Sequence, residues 1–210
     1  MQTFTERALM PLLNVVTFTL FPGPLSLRRA DPSLGLAHGA CILASRETYL
    51  AVGGHASVRG ELFEDQRLAE RWRKRGARGL ALDGRTVVAV RMYGSLAEIR
   101  AGFRKNFYPA FRHAASFWLF LGFHAALATP FVLLPWTRSW PVLASAAMVV
   151  TMRGLLAVRF RHPWWTALVH PVAACVLLGT GLSSWWRCRT GRGVDWKGRL
   201  YRSRRPGEGA

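Results

Sequence analysis

Long apolar runs alternate with arginine-rich segments in the second half of the chain. Residues 114–137 and 163–186 contain no Asp, Glu, Lys or Arg. A helix of about 20 apolar residues is long enough to cross the roughly 30 Å of hydrocarbon in a bilayer. Tryptophans lie at both ends of the second run, as in the aromatic belts of membrane helices. Both runs therefore predict membrane-spanning helices.

The segment between them, residues 140–158, is apolar except for Arg153. A charged side chain at the bilayer centre costs about 2.5–3.5 kcal/mol on insertion scales unless it faces protein or reaches the interface. Two interpretations stay open: a third crossing, or an interfacial or re-entrant helix. His124 and His170 stand alone on apolar segments, where packing or an interhelical hydrogen bond is the expected role.

Basic residues outnumber acidic ones throughout, but the excess lies in the second half of the chain. Residues 1–99 hold 13 basic and 9 acidic groups, and residues 100–210 hold 16 and 2. Arginines between and after apolar runs are typical of loops that face an anionic cytoplasmic leaflet. This predicts a multi-pass protein of the cytoplasmic membrane with both flanks in the cytoplasm, which an even number of crossings satisfies. Without a zinc spacing, helix-turn-helix or RNA-binding aromatic motif, we expect no nucleic-acid partner despite the net charge of +18.

Residues 1–112 show shorter alternations, which are typical of an α/β domain. An apolar stretch at 6–21, interrupted by Pro11, predicts an interfacial helix. The fold class expected is α/β plus transmembrane α, with a domain at 1–112, a membrane region at 113–186 and a basic cytoplasmic tail at 187–210. The other elements predicted in the first domain are a buried strand at 38–44, a short helix from Ser45 to the Gly53–Gly54 pair, a helix at 62–75, a hairpin of residues 80–82 and 86–92, and a helix from Ser95 to Lys105.

Four sequence blocks carry most of the candidate chemistry. They are HGACILASRETYLAVGGH (38–55), VRGELFEDQRLAERWRKRG (58–76), LDGRTVVAVRMYGSLAEIRAGFRKN (82–106) and GRGVDWKGRLY (191–201). Taken in order, they resemble the membrane-associated family 2 glycosyltransferases, in particular the carotenoid enzymes such as hydroxychlorobactene and diaponeurosporenoate glycosyltransferases. The resemblance implies a partial GT-A (nucleotide-diphospho-sugar transferase) domain followed by membrane helices. It also implies inverting transfer from a nucleotide sugar, with UDP-glucose expected, to a lipophilic carotenoid, terpenoid or lipid hydroxyl.

The same resemblance implies roles for particular residues. Asp65 of the Glu64–Asp65 pair would be the general base that takes the proton of the acceptor hydroxyl, and Glu64 would orient the motif. A simpler interpretation of the pair is helix-capping charge. The acceptor side would include Gly39, Arg46, Tyr49, Gly53, Gly54 and His55, and the tail residues Trp196, Lys197, Arg199 and Tyr201 would bind a sugar diphosphate or an anionic headgroup. Two alternatives stay open: the Gly53–Gly54 pair as a helix stop, and the tail as a basic segment that lies on the leaflet.

The chain departs from the family in its donor and metal machinery. Family 2 enzymes carry a nucleotide-binding half and a DxD motif that holds Mg²⁺ or Mn²⁺, whereas no Asp-x-Asp occurs here. The first residues correspond to the stretch that follows this motif in the family. We therefore expect a divalent metal for the family reaction, no metal ligands in this chain, and the C-terminal portion of such an enzyme. The alternative is a non-catalytic truncated membrane protein that binds a lipid or a partner subunit.

Overall fold

The computed structural model describes residues 1–84, 86–111, 113–137, 139–196 and 199–201. Within these residues the chain forms two compact units. We call Asn14–Arg91 the short-helix unit, and Met1–Leu13 together with Met92–Ala210 the long-helix unit. Each unit has its own set of buried residues.

Helices dominate the described residues. The α-helices are α1 (Phe4–Leu9), α2 (Leu12–Leu20), α3 (Gly23–Arg28), α4 (Arg46–Ala51), α5 (Glu64–Lys74), α6 (Leu96–Asn106), α7 (Ala114–Leu133), α8 (Trp140–Phe160) and α9 (His170–Arg189). Short 3-10 helices occur at Pro32–Leu34, Gly54–Val58, Tyr108–Ala110 and Trp164–Ala167. Two short strands, β1 (Val194–Trp196) and β2 (Arg199–Tyr201), form an antiparallel pair.

Local capping signals explain where several of these helices begin. The Ser45 side chain accepts a hydrogen bond from the backbone of Thr48 at the start of α4, and Ser95 accepts one from Glu98 at the start of α6. Such bonds satisfy N–H groups that have no partner within the helix. The predicted helices at 62–75 and from Ser95 to Lys105 are thus confirmed, each to within two residues at either end.

The short-helix unit is built around one apolar face of α5. The buried cluster comprises Val52, Val58, Leu68, Ala69 and Trp72, with partly buried Ala37, Ile42, Tyr49 and Ala77 at its edge. Leu68 and Trp72 are one helical turn apart, so a single face of α5 supplies the centre of this core. The turn at residues 38–41, α4 and the 3-10 helix Gly54–Val58 are all anchored on it. Consequently the candidate acceptor residues surround one core.

The strands predicted for the first domain are wrong. Residues 38–41 form a tight turn closed by a single bridge between His38 and Cys41, and none of the described residues between 79 and 92 lies in a strand. An isolated strand pair is marginal in water because its backbone groups and apolar face lack neighbours. The α/β architecture of a GT-A domain is therefore not confirmed. What the structure shows is a mainly helical chain with long apolar helices.

Three stretches of the described chain are long and apolar enough to cross a bilayer. They are Phe4–Arg28, Ala114–Leu133 and Trp140–Phe160, with 25, 20 and 21 residues. The second lies where a span is predicted. The third shows that the segment around Arg153 is one uninterrupted helix of spanning length, α8. The first covers the stretch for which an interfacial helix is predicted, and its length and composition also suit a crossing.

The predicted span at 163–186 is helical over a shorter length than expected. Trp164–Ala167 is a 3-10 helix, and α9 begins only at His170 with Pro171 in its first turn. Proline has no backbone N–H and suits the first turn of a helix, so this start follows from the sequence. α9 ends at Arg189 and is not one of the three stretches of spanning composition. It packs against α7, and α7 also packs against α8.

Candidate functional site

Asp65 lies in the first turn of α5, and its carboxylate ties that helix to the turn at residues 38–41. Oδ2 of Asp65 accepts a hydrogen bond from the Gly39 backbone N–H at 2.8 Å. Oδ1 accepts one from the Gln66 backbone N–H, also at 2.8 Å. Asp65 is half-buried, whereas Gly39 is exposed. The structure therefore brings together two predicted site residues that are 26 positions apart in sequence.

The lack of a side chain at Gly39 matters to this contact. A Cβ atom placed on Gly39 would lie 3.3 Å from Oδ2 of Asp65, closer than most Cβ contacts in proteins. Any other residue would therefore push the turn and the carboxylate apart by a few tenths of an ångström. The glycine keeps one edge of the carboxylate close to backbone and leaves space beside it.

Glu64, the other half of the acidic pair, is exposed at the first position of α5. Its side chain makes no hydrogen bond or ion pair with another described residue. Negative charge in the first turn is favourable because the helix dipole is positive there, and this is enough to account for an acidic residue at the position. The two carboxylates thus differ: Asp65 is held by two backbone N–H groups, and Glu64 is free to move.

Tyr49 and His55 form a second group of predicted acceptor residues. The Tyr49 hydroxyl accepts the His55 backbone N–H at 3.0 Å and lies 2.9 Å from His55 Nδ1. Either atom of this second pair can be the donor, depending on the tautomer of the imidazole. The two rings lie 5.6 Å apart, and the His55 side chain is exposed.

Gly53 and Gly54 form the backbone turn beside Tyr49 and His55. Their φ angles are +80° and +52°, in the left-handed region that favours glycine, directly after α4 and its cap. A Cβ on Gly54 would lie 2.5 Å from Cζ of Tyr49, so the ring packs on bare backbone. The helix stop left open by the sequence is present, and Gly54 also makes the room that Tyr49 occupies.

The remaining predicted residues belong to neither of these two groups. Arg46 is the exposed first residue of α4, and its side chain makes no hydrogen bond or ion pair with another described residue. In the tail, Trp196 of β1 pairs with Arg199 of β2, and Tyr201 ends β2. Lys197 lies outside the described residues. Backbone pairing alone does not test a binding role, so that of the tail stays a prediction.

Arg73 holds several segments of the short-helix unit together, a role that is not predicted from the sequence. Its guanidinium is buried and donates to the backbone carbonyls of Asp31 at 2.9 Å, Ser26 at 3.1 Å and Gly79 at 3.4 Å, and also to that of Arg29. The available signal was position, because Arg73 lies one turn after buried Ala69 on the apolar face of α5. One side chain therefore ties the end of α3 and two loop segments, at residues 29–31 and at Gly79, to α5.

The described residues do not fit the divalent metal that the resemblance implies. They hold no group of three or more His, Cys, Asp or Glu side chains that could bind a metal ion. A hard cation such as Mg²⁺ needs several oxygen ligands, and Asp65 alone supplies one carboxylate that is already engaged by two N–H groups. No step is therefore assigned to a metal held by these residues.

Comparisons with protein-family models, with curated proteins and with solved structures found no match to this chain. The glycosyltransferase resemblance therefore rests on the four sequence blocks. Two of these blocks are joined in the structure by the hydrogen bond between Gly39 and Asp65.

Proposed function

We propose that this chain forms the acceptor side of an inverting glycosyltransferase, with Asp65 as the general base. In the proposed reaction, a sugar passes from a nucleotide sugar such as UDP-glucose to a hydroxyl of a lipophilic acceptor in the membrane. The observation that carries the proposal is the hydrogen bond from Gly39 N–H to the Asp65 carboxylate. It joins two of the four sequence blocks at the residue for which the resemblance implies the base.

Asp65 keeps the capacity that a general base needs. Each carboxylate oxygen has two acceptor sites, and the hydrogen bonds from Gly39 and Gln66 use one on each oxygen. A free acceptor site therefore remains for the proton of an alcohol that approaches the open side at Gly39. Holding the carboxylate in place favours transfer because a positioned base contributes typically about 10²–10⁴-fold to the rate.

Tyr49 and His55 supply the proposed acceptor-binding surface. The half-buried phenol and the exposed imidazole present aromatic faces with polar edges, a combination that suits contact with an isoprenoid chain bearing a hydroxyl group. By the resemblance, Arg46 also belongs to the acceptor side, and Glu64 orients the motif. The same resemblance assigns the binding of a sugar diphosphate or an anionic headgroup to Trp196, Lys197, Arg199 and Tyr201.

The apolar helices support the lipophilic character of the acceptor. The part of the chain that the structure describes has three stretches of spanning length and composition. A catalytic face next to a bilayer can take a hydroxyl from a dissolved terpenoid without extracting it into water. The basic flanks favour a cytoplasmic position for that face, where nucleotide sugars are found.

The test is transfer of labelled glucose from UDP-glucose to a membrane lipid extract by the purified chain in lipid nanodiscs with Mg²⁺ or Mn²⁺. We expect transfer to fall at least 100-fold in Asp65→Asn, because an amide is a poor base. Its single oxygen can keep the hydrogen bond from Gly39 while the one from Gln66 is lost. Glu61→Gln is the matched control, since Glu61 is exposed and its surface ion pair with Arg67 is long, at 3.9 Å, and therefore weak. Equal transfer by Asp65→Asn and the unmodified chain would contradict the assigned role.

A second candidate function, a non-catalytic membrane protein that binds a lipid, is favoured by a different aspect of the same contact. Both oxygens of Asp65 are engaged by backbone N–H groups, as in a carboxylate whose role is to fix a turn to a helix. Under this alternative the chain transfers no sugar, and Asp65→Asn binds lipid vesicles as well as the unmodified chain. Asp65→Ala, which removes the turn's anchor, would then weaken binding while Asp65→Asn would not.

A further inference from the structure

A cluster of polar side chains is buried in the long-helix unit and includes none of the residues of the proposed transferase site. Its members come from four elements: His124 of α7, Arg153 of α8, Thr166 of the 3-10 helix and His170 of α9. Each is at most 2% exposed. Polar groups that are buried this deeply are normally paired, so unpaired atoms here need an explanation.

Arg153 introduces a positive charge that nothing described in the chain neutralises. Its guanidinium donates to the backbone carbonyls of Pro11 at 2.8 Å and Thr166 at 3.2 Å, while Nε has no partner. It forms no ion pair with any described carboxylate. The sequence contains no Asp or Glu between Glu98 and Asp195, so α7, α8 and α9 supply no acid. Glu6 on α1 is also buried in this unit but makes no ion pair with Arg153. Taking a cation out of water costs several kcal/mol when no opposite charge accompanies it.

The atoms around Arg153 lack partners as well. Oγ1 of Thr166 and both ring nitrogens of His170 are buried without a hydrogen bond in the described structure. His124 donates from Nδ1 to the Phe120 carbonyl at 2.9 Å, which leaves its Nε2 unpartnered. His170 lies four residues after Thr166, and its ring lies 5.9 Å from that of Phe131, which is two helical turns after His124 on α7. These atoms therefore belong to one neighbourhood.

The start of α9 adds a further feature that favours negative charge. His170 is the first residue of this 20-residue helix, and Val169 before it provides no side-chain cap. The N-terminus of a helix carries partial positive charge and N–H groups without partners in the helix. An uncapped N-terminus, a guanidinium without a counter-ion and several unpartnered donors thus meet in one buried place.

We propose that this cluster of buried polar side chains binds a small monovalent inorganic anion, with chloride as the abundant candidate. The proposed donors are Arg153 Nε–H, the Thr166 hydroxyl and a ring N–H of His170. Water could satisfy the hydrogen bonds but would leave the charge of Arg153 without compensation. A lipid phosphate would need an opening to the surface, whereas these side chains are almost fully enclosed. A halide meets both requirements because it is small and carries the missing charge.

The test measures thermal unfolding of the purified full chain in detergent, followed by the fluorescence of its nine tryptophans. Chloride replaces gluconate at constant ionic strength. We expect the unfolding temperature to rise and then saturate, by about 3–6 °C at a chloride concentration ten times the dissociation constant. Bromide is expected to act like chloride, and sulfate is expected to have no saturable effect.

Three variants distinguish binding from general stabilisation by salt. Thr166→Val removes one proposed donor but keeps the carbonyl that Arg153 contacts, so we expect the chloride concentration for a half-maximal shift to rise at least tenfold. Arg153→Gln is expected to abolish the dependence on chloride, although it also loses two carbonyl contacts and lowers stability in every buffer. Arg159→Gln is the matched control, because Arg159 is exposed on the same helix, and it should respond like the unmodified chain.

Chloride-35 NMR provides a second measurement that does not depend on unfolding. We expect the unmodified chain to broaden the chloride line in a saturable manner, with Thr166→Val reducing and Arg153→Gln removing the broadening. The proposal is overturned if the unfolding temperature does not depend on chloride, or if all variants respond equally. Either result would mean that internal water, or ordinary salt effects, accounts for the cluster.

Discussion

The two units of this chain differ in their most deeply buried side chains. In the short-helix unit these are apolar, with Leu68 and Val58 at most 1% exposed, while the buried charges beside them have partners: Glu70 pairs with Arg67, and Arg73 bonds backbone carbonyls. In the long-helix unit, Arg153 is buried at 2% exposure while Val158, on the same helix, is 81% exposed. The first pattern is that of a protein in water, and the second is that of helices in lipid.

The difference is the one expected between a core that packs in water and helices that pack in a bilayer. In water, burial of apolar surface drives folding, and a charge is buried only where it finds partners, as Arg73 does. In a bilayer, the outer surface can be apolar without cost, and polar groups must find partners inside. The contrast also explains why Arg153 does not argue against a membrane helix, since it faces protein and contacts two backbone carbonyls there.

The largest expected effect comes from opening the apolar core of the short-helix unit. Leu68 is 0% exposed at the centre of that core, and Leu68→Ala should cost about 2–5 kcal/mol because it removes buried methyl groups and leaves a cavity. In the full chain, hydrogen exchange of α5 peptides should accelerate roughly 30- to 5,000-fold. Leu50→Ala, at a position that is 58% exposed, is the control and should leave α5 exchange nearly unchanged. Equal acceleration by both variants would mean that α5 has no specific core.

A charge placed on the exposed surface of each unit tests the comparison most directly. Leu155 on α8 is 66% exposed and Leu43 in the short-helix unit is 97% exposed. Leu155→Arg should hinder membrane insertion at a cost of about 2.5–3.5 kcal/mol. Leu43→Arg should change stability by no more than about 0.5 kcal/mol, as surface substitutions usually do. Glycosylation-site mapping of insertion measures the first, and thermal unfolding measures the second; similar behaviour of both variants would remove the distinction between the two surfaces.

A smaller effect is expected from adding a side chain at Gly35, which lies against the backbone of α5 in the short-helix unit. A Cβ on Gly35 would lie 2.8 Å from the Glu70 nitrogen and 2.9 Å from the Ala69 carbonyl carbon on α5. Because neither backbone atom can move aside cheaply, Gly35→Ala should destabilise the unit by about 1–3 kcal/mol. Gly79→Ala is the matched control, since its Cβ would meet nothing within 4 Å. Exchange of α5 peptides should separate the two variants; identical rates would show that the turn at Gly35 does not depend on this contact.

Helices with local signals were predictable from the sequence. Ser95 and Glu98 mark the start of α6, and Gly76, with φ of +81°, follows the end of α5. The predicted strands are wrong because a strand requires pairing partners elsewhere in the chain. The alternation at 86–92 does not show whether such partners exist. Helices that begin or end at local sequence signals could therefore be predicted, whereas strands, which depend on distant pairing, could not.

The candidate site was predictable in its residues but not in its contacts. Asp65 and Gly39 were both named through the resemblance, yet the hydrogen bond that joins them spans 26 positions and has no local signature. The same applies to Arg73, whose bond to the Asp31 carbonyl spans 42 positions. Its place on the apolar face of α5 was visible, but the carbonyls that it holds were not.

The smallest expected effect concerns the loop that Arg73 holds. The Ser33 hydroxyl and backbone N–H donate to the Asp31 carboxylate, and together with the nearby charges of Arg73 and Arg29 they lower the pKa of Asp31 below its ordinary value of 3.8. A carboxyl group whose pKa is lower in the folded protein stabilises the fold above the unfolded value, and this contribution disappears as pH falls through the folded value.

Asp31→Asn tests this contribution of the Asp31 charge to stability, which should be lost as the pH falls below 3.8. Between pH 5 and 6 the unmodified chain should be slightly the more stable of the two, and as the pH falls below about 3.8 the difference in unfolding temperature should shrink toward zero. The effect should be small because Asp31 is fully exposed to solvent. Unfolding of both chains in the same detergent, measured at intervals of pH, gives the difference directly. A difference that grows on acidification would have the opposite sign and would mean that the loop is held without the Asp31 charge, by Arg73 acting on backbone carbonyls alone.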